Sequence, residues 1–254
     1  MVIQPYHKDL FLELLKADFK VRYQGSILGF VWVLLRPFLL FMIFYIIFSY
    51  IFSRGDSHFA IRLILGLIIF TYFSEATTHG LTSLINKADV ILKVNFPRQI
   101  VVISSIVNSL LTLFFSFVIF IAFWVFNPTS VSALWLLFPV YLLVLSILIT
   151  GLSFFLSVLS VKFRDMQMIW ELFIQILFYG SAIFYPISIL SPKLQEYMYW
   201  NPIFVIIQQC REILIDNTMP DLKFLFVISL ASVAFFILGY VYFKRNIKRI
   251  AEYF

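Results

Sequence analysis

The feature that most limits how this chain can fold is a long uncharged stretch in its middle. Residues 99–161 contain no Asp, Glu, Lys or Arg. A helix crosses the hydrocarbon core of a bilayer with about 20 apolar residues, so this stretch is too long for one crossing. The turn sequence Asn127-Pro128-Thr129-Ser130 divides it. The sequence therefore predicts two spanning helices here, at 100–126 and 133–161.

The composition agrees with a membrane protein. Of the 254 residues, 62% are hydrophobic and 13% are charged, whereas a soluble domain has about 45–50% apolar and about 25% charged residues. We therefore predict an all-α integral membrane protein with a single transmembrane domain, 1–254. The net charge of +6 is expected on the cytoplasmic side of such a protein and does not call for a nucleic-acid ligand. Cys210 is the one cysteine, which excludes an internal disulfide.

Four further apolar segments complete a prediction of six spanning helices. They cover 29–52, 61–85, 166–185 and 224–243, and the segment 166–185 is expected to stop before Pro186. Lys and Arg concentrate in alternate connections and in both terminal segments, which by the positive-inside rule places both termini in the cytoplasm. These residues are Lys8, Lys16, Lys20, Arg22, Arg36, Lys87, Lys93, Arg98, Lys162, Arg164, Lys244, Arg245, Lys248 and Arg249.

Two predicted cytoplasmic segments have apolar faces. In the N-terminal segment, Phe11, Leu14, Leu15 and Phe19 share one face of an amphipathic helix. This helix rests either on lipid headgroups or on a partner protein, and the sequence favours the two equally. In the segment 86–99, Val90, Ile91 and Val94 stand among charged residues. A solvated turn does not need these apolar residues, so docking into a cytoplasmic partner explains them better.

The connection between the last two predicted spans also differs from an ordinary loop. A stripe of apolar residues runs along 203–214, formed by Ile203, Ile206, Ile207, Cys210, Ile213 and Leu214. The segment is too short to span a bilayer and too apolar to stay in water. We predict a re-entrant helical hairpin at 191–216 that dips into the outer leaflet, covered by other parts of the protein.

Three ionisable residues fall within predicted spans. Glu75 and His79 lie four residues apart, and Glu171 lies early in the fifth span. Such residues are candidates for a proton relay. The simpler interpretation is favoured: Glu75 and His79 lie near the outer end of their helix, Glu171 lies near the inner interface, and water or a neighbouring helix satisfies them.

The sequence contains no recognisable catalytic or metal motif. It has no nucleophile elbow, no HExxH and no G-x-x-x-x-G-K-[ST] phosphate loop. With three histidines and one cysteine, it offers few ligands for a metal site. We expect a chain without catalytic or metal residues that does not itself bind ATP through a phosphate loop.

Five segments, in this order, resemble one family. They are RYQGSILGFVWVLLRP (22–37), KVNFPRQIVVISSIVNSL (93–110), KFRDM (162–166), FYPISIL (184–190) and WNP (200–202), the last followed by Arg211. Together they resemble the permease subunit of polysaccharide ABC exporters of the Wzm/TagG type. Members of this family move lipid-linked O-antigen, capsule or teichoic-acid polymers across the cytoplasmic membrane.

The resemblance implies a homodimer in the inner membrane that binds two copies of a separate nucleotide-binding ATPase. ATP and Mg would bind to that partner, and this chain would bind no cofactor. The cargo it favours is O-antigen, which would place the chain in lipopolysaccharide biosynthesis, with capsule or teichoic acid as alternatives.

The resemblance also implies roles for particular segments. The segment 1–26 would hold an interface helix on the ATPase, 86–99 a coupling segment, and 191–216 an outer gate. The implied coupling residues are Phe11, Lys16, Lys87, Asp89, Val90, Ile91, Lys93 and Arg98. The implied gate residues are Pro192, Trp200, Asn201, Pro202 and Arg211.

A polysaccharide needs a continuous path, and the apolar faces of its sugar rings can slide along aromatic side chains. We expect such a path at the dimer seam, lined by some of Tyr45, Tyr72, Trp170, Phe178 and Tyr179. Packing or lipid contact is the competing role for each of them.

Three other functions remain open on sequence alone. A proton-coupled flippase or carrier of lipid-linked sugars would require Glu75, His79 and Glu171 to be essential. A membrane-embedded transferase would require a convergent catalytic site, and a passive channel would require no ATPase.

Overall fold

The computed structural model describes residues 5–23, 29, 31–52, 58–126, 128–248 and 250, and these residues form helices and connections without a strand. Within the described part of the chain there are ten α-helices: α1 (Pro5–Tyr23), α2 (Val31–Phe52), α3 (Phe59–Asn86), α4 (Ala88–Lys93), α5 (Gln99–Phe126), α6 (Phe138–Lys162), α7 (Met166–Tyr179), α8 (Pro192–Met198), α9 (Pro202–Arg211) and α10 (Leu222–Asn246). Short 3-10 helices form at Ala133–Leu137 and Ile187–Ile189, and a π-helical turn forms at Glu212–Asp216. The prediction of an all-α membrane protein is confirmed.

Five of the described helical segments are long and apolar enough to cross a membrane. They are α2, α3, α5, α6 with the 3-10 turn before it, and α10. The predicted span at 166–185 appears as the shorter α7, which has 14 residues and a length of about 21 Å at 1.5 Å per residue. It ends at Tyr179 because the chain leaves helical geometry at Gly180, and Ala182 has a φ of 46°. The count of six spans therefore stays a prediction.

Helix α3 is the central element of the fold. It packs against α2, α5, α6, α7 and α9. Of the residues in its apolar spanning stretch, 72% are buried. By contrast, only 11% of the residues in the spanning stretch of α2 are buried, and 17% of those in the stretch of α10. Because the uncovered surfaces of α2 and α10 are apolar, they are suited to contact lipid or another subunit.

Small residues allow α6 to approach its neighbours closely. A Cβ atom added at Gly239 of α10 would lie 2.0 Å from the carbonyl oxygen of Gly151 in α6. A Cβ atom added at Gly80 of α3 would lie 2.3 Å from Oγ of Ser153. Small residues at helix contacts are a common means of packing membrane helices. They fix α3, α6 and α10 as one unit.

Helices α8 and α9 occupy the region predicted to form the hairpin. The predicted apolar stripe of α9 and the turn after it is buried throughout. Phe204 and Val205, outside that stripe, are buried as well. Helix α9 is thus covered by its own chain, as a re-entrant segment would need to be. The position of the segment 191–216 in the outer leaflet stays a prediction.

Candidate functional site

Basic segments that are distant in sequence meet at one end of the bundle, which we call the α4 end. Lys87, which follows α3, forms an ion pair with Asp18 of α1, and both side chains are largely buried. A side-chain nitrogen of Arg98 donates a hydrogen bond to the carbonyl oxygen of Ile247, directly after α10. The segment 86–99 is therefore tied to both ends of the chain. The opposite end, where α3 begins beside α9, is the α9 end.

The exposed face of α4 differs from the face that the sequence indicated. Ile91 is 4% exposed and packs in the core, whereas Leu92 is 53% exposed. Val94 is also exposed, as are Asp89 and Lys93. We call these four exposed residues, Asp89, Leu92, Lys93 and Val94, the α4 surface. Ile91 cannot contact a partner from inside the subunit, and Leu92 was missed because it falls outside the apolar face assigned to the segment.

Helix α1 lies against α5. Leu14 is buried and Phe11 is half-buried, so part of the predicted apolar face contacts the subunit itself. Lys16 is exposed and forms an ion pair with Glu13 at 2.8 Å. The hydrogen bond to Glu13 raises the pKa of Lys16, and the negative charge of Glu13 raises it further. Residues 1–4 and 24–26 of the predicted interface segment lie outside the described residues.

A polar cavity of about 450 Å³ lies between α1, α3 and α5 at the α4 end. It is lined by Asp18, His79, Thr82, Ser83, Asn86, Lys87, Ser105 and Asn108. His79 therefore faces polar groups of its own subunit.

The sequence predicts that Glu75 and His79 lie near the outer end of their helix. Both lie in the half of α3 that leads to α4. Oε1 of Glu75 is 3.5 Å from Nη1 of Arg36 in α2. In the predicted topology the segment 86–99 is cytoplasmic, so these positions disagree with the expected outer location.

Two of the five aromatic residues predicted to line a path are buried within the subunit. The hydroxyl of Tyr72 is 2.8 Å from Oγ of Ser146 in α6. Nε1 of Trp170 donates a hydrogen bond to Oγ1 of Thr77 at 3.2 Å. These two contacts join α3 to α6 and to α7, which gives both aromatic rings a packing role.

The other three aromatic residues have access to the surface. Tyr45 and Tyr179 are exposed, and Phe178 is half-buried. The ring of Phe178 lies 5.4 Å from Phe44 of α2 and 5.9 Å from Phe184, measured between centroids. Phe44 was missed because no sequence signal distinguishes it among 32 phenylalanines. Phe184 begins the FYPISIL segment but was not assigned to the path. The aromatic cluster brings α2 beside α7.

At the α9 end, Asn201 fixes the start of α9. Its side-chain oxygen accepts a hydrogen bond from the backbone N–H of Ile203 at 3.0 Å. Its Nδ2 donates to the carbonyl oxygen of Gly180 at 2.8 Å. Pro202 occupies the first helical turn, where its missing N–H costs no hydrogen bond. Asn201 thus caps α9 and holds it to the end of α7.

The two other gate residues in this region lie on the surface. Trp200, directly before the cap, is 84% exposed. Pro192 is exposed at the start of α8.

Arg211 is buried at the other end of α9. Its Nη1 donates to the carbonyl oxygen of Ala182 at 3.1 Å, and its Nη2 donates to that of Ile183 at 2.7 Å. Its Nε donates to the carbonyl oxygen of Arg62, at the start of α3, at 3.2 Å. One guanidinium group therefore satisfies three carbonyl groups in two separate segments.

The π-helical turn after α9 is held on two sides. Asp216 forms an ion pair with Arg62 of α3. Oγ1 of Thr129, in the connection between α5 and α6, donates to the carbonyl oxygen of Leu214 at 3.2 Å. Burial raises the pKa of the Glu212 carboxyl, and the nearby charges of Asp216 and Asp221 raise it further. Pi-helical turns are rare and often occur at functional sites.

No group of three or more His, Cys, Asp or Glu residues arranged to hold a metal ion occurs within the described ranges.

Comparison with known proteins gives a consistent result. The family profile described as ABC-2 type transporter matches residues 9–215. An O-antigen export system permease protein from Klebsiella pneumoniae is 27% identical over 248 residues, which is 97% of this chain and 95% of that protein. A permease of the same name from Myxococcus xanthus is 26% identical, covering 89% of this chain and 88% of that protein. The polysialic acid transport protein KpsM of Escherichia coli is 22% identical over 80% of each chain.

Proposed function

Because the chain belongs to the ABC-2 type transporter family, we propose that it is the membrane subunit of an ATP-driven polysaccharide exporter. The cargo we propose is a lipid-linked O-antigen, with capsule or teichoic-acid polymers as the alternatives. The observation that carries the proposal is the similarity to O-antigen export permeases along 97% of this chain. A permease role also agrees with five helical segments that can cross a membrane.

The exporter would lie in the inner membrane with the α4 end in the cytoplasm. Basic residues support this orientation, since Lys87, Lys93 and Arg98 belong to that end. Lys162, the last residue of α6, lies at the same end, where it donates a hydrogen bond to Asn246. Positively charged connections stay on the cytoplasmic side of bacterial membrane proteins. Both chain termini would then be cytoplasmic.

The partner would be a nucleotide-binding ATPase that docks on the α4 surface. Leu92 and Val94 supply an exposed apolar centre, and Asp89 and Lys93 supply charges of both signs around it. An apolar centre with a charged rim is typical of a protein interface. ATP and Mg would bind to the ATPase, so this chain would need neither a cofactor nor catalytic residues.

Motion of the ATPase would reach the membrane helices through two links. The first is the continuity of α4 with α3, which contacts most of the bundle. The second is the Lys87–Asp18 ion pair, which connects α4 to the interface helix α1. Since the pair is largely buried, displacing α4 would displace α1 with it.

Two copies of the chain would enclose the path, with the sparsely covered α2 and α7 at the seam. Tyr45, Phe178 and Tyr179 remain in the proposed path because their rings reach the surface of these helices. Tyr72 and Trp170 would instead support the path from behind, through their hydrogen bonds to α6 and α3. Asn201 and Arg211 would hold the outer gate, and the exposed Pro192 and Trp200 would face its opening.

The proposal is tested in cells that lack their own O-antigen export permease and express this chain with the ATPase encoded beside it. Restored polymer on the cell surface is expected, and polymer retained in the cytoplasm would contradict the proposed cargo. Transport in inverted membrane vesicles distinguishes a proton-coupled carrier. Export that requires ATP and survives a protonophore is expected, whereas export abolished by the protonophore in the presence of ATP would favour the carrier.

A further inference from the structure

Helix α7 carries a polar stripe on its exposed surface. Gln167, Glu171 and Gln175 are all exposed and lie four residues apart, a spacing that places them on one face of a helix. Nε2 of Gln167 donates a hydrogen bond to Oε1 of Glu171 at 3.0 Å. We call these three residues the α7 polar stripe.

The rest of the exposed surface of α7 is apolar. Leu172 is 61% exposed and Ile176 is 68% exposed. On a helix with 3.6 residues per turn, these two residues lie about 100° away from the stripe. On its far side, α7 lines an apolar cavity of about 530 Å³ together with Phe73 of α3 and Phe235 of α10. The polar residues are thus confined to one side of the helix.

Contacts of α3 locate the stripe at the depth of other charged groups. Trp170 of α7 is hydrogen-bonded to Thr77, and Arg36 of α2 contacts Glu75. Positions 75 and 77 are separated by about 3 Å along a helix axis. Glu171, the neighbour of Trp170, therefore lies within about one helical turn of the depth of Arg36.

A carboxylate on an otherwise apolar helix surface is more favourable against water or a polar group than against lipid. Placing an acidic side chain in the hydrocarbon centre costs about 2.5–3.5 kcal/mol on insertion scales. Glu171 and Arg36 are each the sixth residue of their helix, and nearer the interface only a part of this cost applies. The stripe would therefore face either water or another polar surface. It lies on the same side of α7 as Phe178, which contacts α2.

We propose that the α7 polar stripe is the polar wall of the path and binds the hydroxyl groups of the passing sugar chain. Sugar hydroxyls would donate hydrogen bonds to the Glu171 carboxylate. The side-chain amides of Gln167 and Gln175 would both donate hydrogen bonds to the hydroxyls and accept them. Tyr179 lies four residues beyond Gln175 and is exposed, so it would continue the stripe with an aromatic ring. This inference rests on the proposed export of polysaccharide, and it names the residues that would recognise the sugar chain.

A second copy of the chain is a less suitable occupant of the stripe. A two-fold axis beside α7 would place each stripe opposite its own copy. Two Glu171 carboxylates would then face each other, and α7 itself contains no Lys or Arg to neutralise them. Arg36 of α2, at a similar depth, already pairs with Glu75. Like charges in a dry contact disfavour each other. A hydrated gap that admits a hydroxyl-rich chain avoids this cost.

Access to water tests the position of the stripe. Gln167→Cys and Gln175→Cys are compared with Leu172→Cys and Ile176→Cys in the complex with the ATPase, using a membrane-impermeant maleimide. The wild type is the unlabelled control, because its one cysteine, Cys210, is buried. The two stripe positions should react at least tenfold faster than the two apolar positions. Equal rates, or stripe positions that do not react, would overturn the proposal.

Transport tests the binding role. Glu171→Leu should lower polysaccharide export at least tenfold with unchanged amounts of complex, and Glu171→Gln, which keeps a hydrogen-bonding oxygen, should stay within about threefold of wild type. Export by Glu171→Leu at the wild-type rate would contradict the binding role. A wild-type complex that moves no polysaccharide would instead contradict the proposed function, and the labelling pattern would still report whether the stripe faces water.

Discussion

Nη2 of Arg211 lies 2.7 Å from the carbonyl oxygen of Ile183, and the two residues are 28 positions apart in the sequence. This contact joins the end of α9 to the turn that follows α7. The same guanidinium group also holds Ala182 and Arg62. One buried side chain therefore links α3, the turn after α7 and α9 at the α9 end.

Replacing Arg211 should destabilise the subunit strongly. Arg211→Met keeps much of the length of the side chain but leaves buried carbonyl groups unsatisfied, and a lost hydrogen bond to a charged donor costs about 1.5–3 kcal/mol. The expected result is a large fall in the melting temperature in detergent. Lys193→Met, on the exposed surface of α8, is the matched control and should melt like wild type. Equal melting of both variants would show that Arg211 does not fix this region.

The buried ion pair between α1 and α4 predicts a charge-swap rescue. Asp18→Lys and Lys87→Asp should each reduce export and lower the yield of complex, since each leaves two like charges together in a largely buried place. The double variant restores an ion pair and should recover part of the export. Glu13→Lys, which breaks the exposed pair with Lys16, should have a much smaller effect. A double variant no better than the single ones would argue against transmission through this pair.

The raised pKa of Glu212 predicts how stability changes with pH. A raised pKa means that the folded state holds the proton more tightly than the unfolded chain does. The stability from this group is present below the usual carboxyl pKa of about 4.3 and is lost as the pH rises through the folded-state value. Glu212→Gln should therefore raise the melting temperature at pH 7.5, with a smaller gain at pH 4.5.

Glu196→Gln on the exposed surface of α8 is the control for Glu212→Gln and should retain the wild-type melting curve. If Glu212→Gln lowers the melting temperature at pH 7.5, the carboxylate stabilises the π-helical turn, which is the opposite of what we predict.

The aromatic residues predict two distinct phenotypes. Tyr179 is 64% exposed and Trp170 is 6% exposed. Tyr179→Ala should reduce export several-fold with a normal yield of complex, because it removes a contact of the proposed path. Trp170→Ala should lower the yield itself, because a buried aromatic truncated to alanine costs about 3–5 kcal/mol. Quantified surface polymer, divided by the amount of complex, separates the two. A normal yield for Trp170→Ala would show that it does not hold α7 to α3.

Much of the fold could be predicted from the sequence. The uncharged stretch and the turn at 127–130 predicted α5 and α6 closely, because a membrane helix leaves a composition signal over about 20 residues. The end of α7 could not be predicted in this way. Pro186 was the visible breaker, yet the helix ends at Tyr179 because Asn201 and Arg211, at the two ends of α9, hold the turn that follows.

The sites were harder to predict because burial depends on neighbours that are distant in sequence. Ile91 and Leu92 are both apolar neighbours in α4, and only the packing of α4 on the bundle decides which one is exposed. Tyr72 is covered by α6, and its hydroxyl contacts Ser146 of that helix. Arg98 was expected to contact the ATPase, but its hydrogen bond to Ile247 gives it a role within the subunit. Reversing its charge would therefore disturb the fold as well as any docking.

The most direct measurement is co-purification of the chain with the ATPase encoded beside it. We predict that the two proteins co-purify in detergent as a complex of two copies of this chain and two ATPase subunits. Leu92→Glu should abolish this complex while the chain alone stays folded, because it places a charge in the centre of the α4 surface. Leu194→Glu, at an exposed apolar position of α8, should leave the complex intact. A stable chain that binds no ATPase, or a complex that tolerates Leu92→Glu, would contradict coupling through α4.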